Sequence, residues 1–459
     1  MIKQQQQSKI LWPILLTTMF ASFMNPYMLA AVNISLPHIQ DQFACSAKTL
    51  SWVSNSFLLA NAIVLLPVSR AADIWGRVRF FKIGLYIFAL FSLLSGLSNS
   101  VGMLLSMRVF QGAGAALMHV TGVAIITECY PPNKRGYALG LNIGAVYAGL
   151  SMGPFLGGII TQIGGWSLVF LSVVPLALIT IVLSHVNLRN VNIAKNHGAF
   201  DLKGSFLYAI SIFLFIYGGG RIDEMQGIVL FFVGLLMFLF FYLFEKKNLN
   251  PILNVQLLIS NRKFTYSNIA AFIHYSSTFG VSFILSLYLQ FAKGLSPAQA
   301  GTILLAQPLV MVFTAPFTGR LSDKINPAYL ASAGLMVTFM ALVGMAFFSL
   351  QSSIAYIVVL LALLGLGFGL FTSPNTNSVM SAVDKKHYGI ASGINATMRV
   401  FGQTLSMMIV TVFITMLMGN ESISTTNIGL YLKSAKLYFV VFSVLSLLGI
   451  WFSIQRDKK

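Results

Sequence analysis

The stretch Ser69-Arg70-Ala71-Ala72-Asp73-Ile74-Trp75-Gly76-Arg77-Val78-Arg79 follows a long apolar run. A shorter copy, Gly319-Arg320-Leu321-Ser322-Asp323, follows another apolar run 250 residues further on. Each copy has a proline just upstream, Pro67 and Pro316. A basic residue three positions ahead of an acidic one, at the same end of two apolar runs, reads as an internal repeat. The chain is then two halves built alike.

The composition says what those halves are made of. Of 459 residues, 57% are hydrophobic and 9% charged, against roughly 25% charged in average soluble domains. Mean hydropathy is +0.81. A globular surface cannot be covered with so few solvated groups. A soluble enzyme, a disulfide scaffold and a disordered protein are therefore excluded, and a polytopic membrane protein remains. Only helices or closed barrels satisfy the backbone in lipid, and the alternating barrel pattern is absent.

Apolar runs give fourteen expected spans: 10–36, 50–69, 81–98, 101–127, 136–162, 166–185, 204–220, 226–244, 264–289, 300–318, 328–349, 354–380, 390–418 and 436–454. The first is preceded by Lys3 and Lys9, as in a signal peptide, but it is long enough to span and reads as an uncleaved helix. With the N-terminus inside, most of the 29 Lys and Arg fall in inner loops and tails. Lys48, Arg221, Lys293, Lys433 and Lys436 fall outside, and Arg108 and Arg399 within spans. Basic residues concentrate in cytoplasmic loops, so both termini are placed in the cytoplasm. The same rule accounts for the net charge of +18 without nucleic acid.

The expected organisation is all-α, with an N-terminal six-helix half (1–185), a central linker carrying spans 7 and 8 (186–263), and a C-terminal six-helix half (264–459). Such halves are a signature of secondary transporters. No Gly-Lys pair occurs, hence no P-loop. Gly365-Leu-Gly367-Phe-Gly369 lies in an apolar helix and reads as packing. Metal-ligand spacing is absent, no cofactor is implied, and Cys45 and Cys129 fall on opposite faces.

These motifs resemble the major facilitator superfamily, and more narrowly its fourteen-helix drug–proton antiporter branch. The 69–79 loop matches the family's signature after span 2, with Ser69 in place of its usual first glycine. Span 4 carries Arg108-Val-Phe-Gln111-Gly112, similar to the family's Arg-x-x-Gln-Gly. Span 5 carries Gly149-Leu-Ser-Met-Gly153-Pro154-Phe-Leu-Gly157-Gly158, similar to the antiporter motif that in the family goes with export. The second half adds Tyr288-Leu-Gln290, Gly294-Leu-Ser-Pro297-Ala-Gln-Ala-Gly301 and Gly389-Ile-Ala-Ser-Gly393 ahead of Arg399. The resemblance covers essentially the whole chain. It implies a multi-pass bacterial cytoplasmic-membrane exporter of small amphipathic molecules, with a proton as coupling ion.

Physical reading of the same residues gives them roles. Gly149, Gly153 and Gly157 form a smooth helix face, and Pro154 bends the helix. That face is expected to act as hinge and outer seal; ordinary small-residue packing is the alternative. Asp73, Gly76, Arg77, Arg320 and Asp323 are expected to form paired inner gate loops, with Asp73 capping a neighbouring helix. A charge within a span is costly and should face a cavity or a partner, so Arg108 with Gln111, and Arg399, are assigned to the substrate and proton pathway. Snorkelling of Arg399 to the membrane surface is an equal alternative. His119, eleven residues after Arg108 and near the same face, is a proton-carrier candidate or simply a hydrogen-bond partner. His274 is a weaker case. Asn33 joins the pathway as the start of Asn33-Ile-Ser-Leu-Pro37.

One departure matters. Family members of this branch usually carry an acid just ahead of that stretch, where this chain has Met28. None of the eleven carboxylates falls mid-span. The cavity should then favour neutral, zwitterionic or anionic compounds over lipophilic cations. Proton coupling is left to His119, to Asp223 or Glu224, or to the substrate. Rival readings are an importer, a dedicated metabolite or siderophore exporter, a non-transporting membrane sensor, and a membrane enzyme, for which no catalytic cluster is visible.

Overall fold

Lipid offers no partner to a free backbone N–H or C=O, so each apolar run folds as a helix and short polar segments close its ends. The computed structural model describes residues 2–189, 191, 199–248, 251–253, 255–322, 324–384 and 388–457, with the side chains of 2–10, 132–136 and 388–390 left undescribed. The helices are α1 (Ile2–Phe43), α2 (Ala47–Trp75), α3 (Arg77–Gly96), α4 (Val101–Cys129), α5 (Pro132–Asn187), α6 (Leu202–Gly219), α7 (Met225–Lys247) and the short α8 (Val255–Ser260). They continue with α9 (Arg262–Leu287), a π-helical turn (Tyr288–Ala292), α10 (Pro297–Leu304), α11 (Ala306–Leu321), α12 (Pro327–Ala346), α13 (Ile354–Ser381), α14 (Tyr388–Met418) and α15 (Ile428–Gln455). No strand occurs among the described residues. Serines cap several starts: the Ser100 hydroxyl accepts from Met103 N–H, and Ser296 with Gln299 forms a capping box.

Helices and spans fail to match one to one in two places. The apolar stretch of α5, Tyr137–Asn187, runs for 51 residues, which at about 1.5 Å per residue is more than twice a ~30 Å hydrocarbon core. It is broken at Gly164 (φ −134°, ψ 15°) and Gly165 (φ 73°, ψ −179°), the latter a conformation that suits glycine. Contacts with α1 show that the chain reverses there. Asn142 accepts from Ser22 near the inner end at 2.8 Å. Trp166 donates to Gln42 at the outer end, and Asn187 returns to Thr17 and the Pro13 carbonyl. So α5 is two spans, and the thirteen apolar helices found among the described residues make fourteen spans. Conversely, α10 and α11 together make one span, interrupted at Leu305 because Pro308 has no N–H for the Leu304 carbonyl. The last span also differs from expectation: α15 starts at Ile428, so Lys433 and Lys436 sit in its outer turns and not in a loop.

The internal repeat is visible in the packing. A Cβ added to Gly112 would lie 2.2 Å from the Phe57 carbonyl oxygen, and one on Gly365 would lie 2.3 Å from that of Gln307. Gly84 of α3 crosses Gly114 of α4, and Gly334 of α12 crosses Gly367 of α13. Gly149 meets the Phe23 carbonyl, and Gly402 that of Phe272. Partners in these pairs are separated by 249 to 253 residues, matching the repeat of Arg70 and Arg320. Glycine is needed there because two backbones touch.

The extra pair α6–α7 crosses at Gly218 and docks on α2 and α14. Tyr208 donates to the Ala62 carbonyl at 2.8 Å and stacks on Phe401. At the outer face Lys48 pairs with Asp223 at 2.9 Å.

Candidate functional site

A cavity of about 290 Å³ lies between the two sets of six spans. Its walls begin at the inner face, with Ser22, Leu139, Met380 and Ser392, and end outward at Asn33, Leu58, Pro154, Ser282 and Leu304. Beyond that level the halves are sealed. Pro37 has no N–H to give the Asn33 carbonyl, which is four residues back in α1. The Ser286 hydroxyl of α9 donates to that carbonyl at 2.6 Å. Gln290, in the π-helical turn, donates to the neighbouring Ile34 carbonyl at 2.9 Å. Helix α2 meets α14 through Asn55–Thr411 and Thr411–Ser51, both 2.7 Å. Gln40 exchanges two hydrogen bonds with the backbone of Ile423. The fourth contact is made by glycines: a Cβ on Gly158 would lie 2.4 Å from the Pro297 carbonyl oxygen, and one on Gly301 would lie 2.1 Å from that of Pro154.

Among the described residues, the hydrogen bonds between the halves all lie at or outward of one pair, Arg399 and His119. The Arg399 guanidinium on α14 donates to His119 Nε2 on α4. The ring is therefore neutral, with its lone pair at Nε2. Both residues line the cavity, and no carboxylate does so among the described residues. Amide side chains supply much of the remaining polarity, including Asn25, Asn61, Asn142, Gln307 and Asn395. The shape is thus a pocket open to the cytoplasmic face and shut to the outer one.

The span 5 motif divides its work. Gly149, Gly153 and Gly157 let α5 lie against α1 within the N-terminal half, at Phe23, Tyr27, Ala30 and Ala31. Gly158 alone of the motif glycines faces the other half, and Pro154 lines the cavity. Gly301 completes that contact; its motif stands out in the sequence, but its partner on the opposite half does not.

Arg108 and Gln111 do not line the cavity. Arg108 is fully buried, donates to the Val53 carbonyl and to Gln111, and lies over the Phe57 ring at 4.3 Å. Gln111 in turn donates to Ser92 of α3. Arg108 is thus held by carbonyl, amide and aromatic partners, without a carboxylate. The register that puts Arg108 and His119 near one face does not bring Arg108 to the cavity, because Phe57 of α2 and Phe170 of α5 pack over its guanidinium within the N-terminal half. Arg399 does not snorkel; it meets His119.

In the loop after α2, Asp73 accepts from Arg77 Nε at 2.7 Å, and Arg77 also meets Glu128 at 3.5 Å. Asp73 does not cap a neighbouring helix: the N-terminus of α3 carries no side-chain cap. Gly76 makes the turn at φ 111°. In the second copy Arg320 is exposed, and Asp323 lies outside the described residues. Asp223 and Glu224 form ion pairs with Lys48 and Arg221 at the outer surface, away from the cavity. His274 is buried among Phe368, Phe371 and Tyr275.

Comparison with known proteins agrees with this architecture. The Major Facilitator Superfamily profile matches residues 18–407 and 267–458. The riboflavin transporter RibZ of Clostridioides difficile is 31% identical over 388 residues, 84% of this chain and 85% of the relative. The multidrug resistance protein Stp of Mycobacterium tuberculosis is 30% identical over 404 residues, covering 85% and 74%. The tetracenomycin C resistance and export protein of Streptomyces glaucescens is 27% identical over 399 residues, covering 86% and 74%. Among solved structures, an inward-facing, unoccupied bacterial homologue of the human lysosomal transporter Spinster superposes with a TM-score of 0.69 at 17% identity, over 98% of this chain and 96% of that one. With fourteen spans among the described residues, repeated halves and a central cavity, this chain is a multi-pass membrane transporter belonging to the major facilitator superfamily.

Proposed function

We propose that this transporter exports small amphipathic molecules from the cytoplasm by alternating access, driven by protons. The halves 1–185 and 264–459 rock about the cavity, while α6 and α7 ride on the α2–α14 seam. The observation that carries this reading is a cavity open at the cytoplasmic face beneath an outer seal of close backbone contacts, notably Gly158 and Gly301. Such contacts are made or lost as rigid bodies and do not deform gradually. The reaction is vectorial, with no bond made or broken. Export is further supported by the span 5 motif and by two relatives whose names describe resistance or export.

His119 is the proposed proton carrier. With Arg399 beside it, the ring holds no second proton. With the halves rocked apart at this level, the ring is free to take one from the outside. A second reading is traffic in one dedicated metabolite, including uptake. It is favoured by the relative named for riboflavin and by the many amide side chains in the cavity.

The test is flux of fluorescein and rhodamine 123 in proteoliposomes of known orientation, under an imposed pH gradient and separately an imposed voltage. Export predicts movement from the face bearing residues 73–77 to the opposite face, stimulated by an opposing proton gradient. Net movement only in the other direction contradicts export, and flux indifferent to pH contradicts proton coupling.

A further inference from the structure

The charge in the cavity sits on one wall. Arg399 has, among the described residues, one hydrogen-bond partner, the neutral ring of His119. No carboxylate balances it among the described lining residues. The fold itself does not require a cation at this place. The internal repeat sets Arg399 against Val146, and His119 against Thr372, and both counterparts line the cavity without charge. One turn outward, Asn61 is 3% exposed and its Oδ1 lacks a partner. Phe279, Met311 and Phe368 add apolar surface to the same cavity.

We propose that Arg399 recognises the acidic group of an amphipathic organic anion, an aromatic acid that also carries a hydroxyl or N–H for Asn61. This inference rests on the cavity being the transport site, and it narrows the substrate class. A guanidinium presents parallel N–H groups that suit a carboxylate or sulfonate better than a ring nitrogen. The anion therefore displaces His119 from Arg399. The bond that joins α4 to α14 across the cavity is then broken by the ligand, so occupancy releases a latch between the halves.

The experiment is equilibrium binding of fluorescein (anionic) and rhodamine 123 (cationic, on the same ring system) to the purified full-length protein, followed by anisotropy. Fluorescein is expected to bind the wild type at least about ten-fold more tightly than rhodamine 123, one bidentate charged contact. Arg399→Gln should abolish that preference and Arg399→Lys should keep part of it. His119→Ala should preserve the preference and tighten fluorescein binding, because a competitor for Arg399 is gone. Equal or tighter binding of rhodamine 123 by the wild type overturns the proposal, and so does an undiminished preference in Arg399→Gln. If Arg399→Gln is not monodisperse, the wild-type ratio decides. Loss of fluorescein binding in His119→Ala would overturn the latch. Selective binding without flux in proteoliposomes would contradict the transport reading and leave this inference standing. Flux of both dyes with equal binding would do the reverse.

Discussion

Arg399 of α14 donates to Nε2 of His119 on α4 at 2.5 Å, at the inner end of the hydrogen bonds that join the halves among the described residues. Outward of it lie the Thr404–Leu58, Asn55–Thr411 and Ser286–Asn33 bonds; inward of it the cavity opens. The pair thus sits where sealing stops and substrate space begins. That position is the reason we propose the pair as proton switch and ligand contact.

If His119 carries the proton, His119→Gln should abolish pH-driven accumulation, a loss of about ten-fold or more, while flux down a substrate gradient persists. Asp223→Asn, at an exposed outer ion pair, should leave coupling unchanged. Proteoliposome flux with and without a pH gradient checks both. Equal pH stimulation in wild type and His119→Gln would remove His119 from the pathway.

The glycine contact sets how close the halves approach outside. Gly158→Ala and Gly301→Ala should each lower transport about ten-fold or more, because the new methyl meets a carbonyl that cannot move aside. Each should also raise labelling of a Ser282→Cys reporter by a membrane-impermeant thiol reagent from outside. Gly140→Ala, where a Cβ meets nothing within 4 Å, is the control expected to behave as wild type. Unaltered transport in Gly158→Ala would contradict the seal.

Pro37 and Ser286 should bias the same equilibrium. Ser286→Ala removes one hydrogen bond worth about 1 kcal/mol, a shift of roughly five-fold towards the outward-open state. Pro37→Ala should act in the same direction, since the substitution restores a backbone N–H that would claim the Asn33 carbonyl for its own helix. Labelling of the same reporter from outside reads both. No increase in either variant would show that this bond does not help hold the seal.

Arg108 should behave as a structural residue. Arg108→Ala leaves the buried Gln111 Oε1 without its donor and vacates the space beside Phe57, so a loss of about 3 kcal/mol is expected, seen as a lower Tm. The binding ratio of fluorescein to rhodamine 123 should not move. A changed ratio at unchanged Tm would return Arg108 to the substrate pathway.

The spans, their orientation and the two-fold repeat could be read in advance because each is a property of composition along the chain. Apolar length marks a span, basic loops mark a face, and the Arg70–Asp73 and Arg320–Asp323 copies mark the halves. The reversal at Gly164–Gly165 was legible as two spans, although the helix continues almost unbroken through it. Which face of a helix meets which neighbour was harder to read. In α4 apolar residues surround the helix, so no periodicity separates Arg108, locked under Phe57, from His119, three turns on and facing the cavity. The Asn33 carbonyl has a sequence signal in Pro37, but its partner Ser286 lies 253 residues away on another helix. Likewise Gly158 differs from Gly157 only by one step around the helix, and that step decides whether it touches α1 or the opposite half.

The proposed export cycle requires the outer seal to open. Its most direct test is a disulfide across that seal: Asn55→Cys with Thr411→Cys, whose native side chains are 2.7 Å apart, with the free Cys45 and Cys129 replaced by serine. Oxidation should cross-link the pair and stop flux in proteoliposomes, and reduction should restore it. Undiminished flux with the cross-link fully formed would contradict alternating access through this seal.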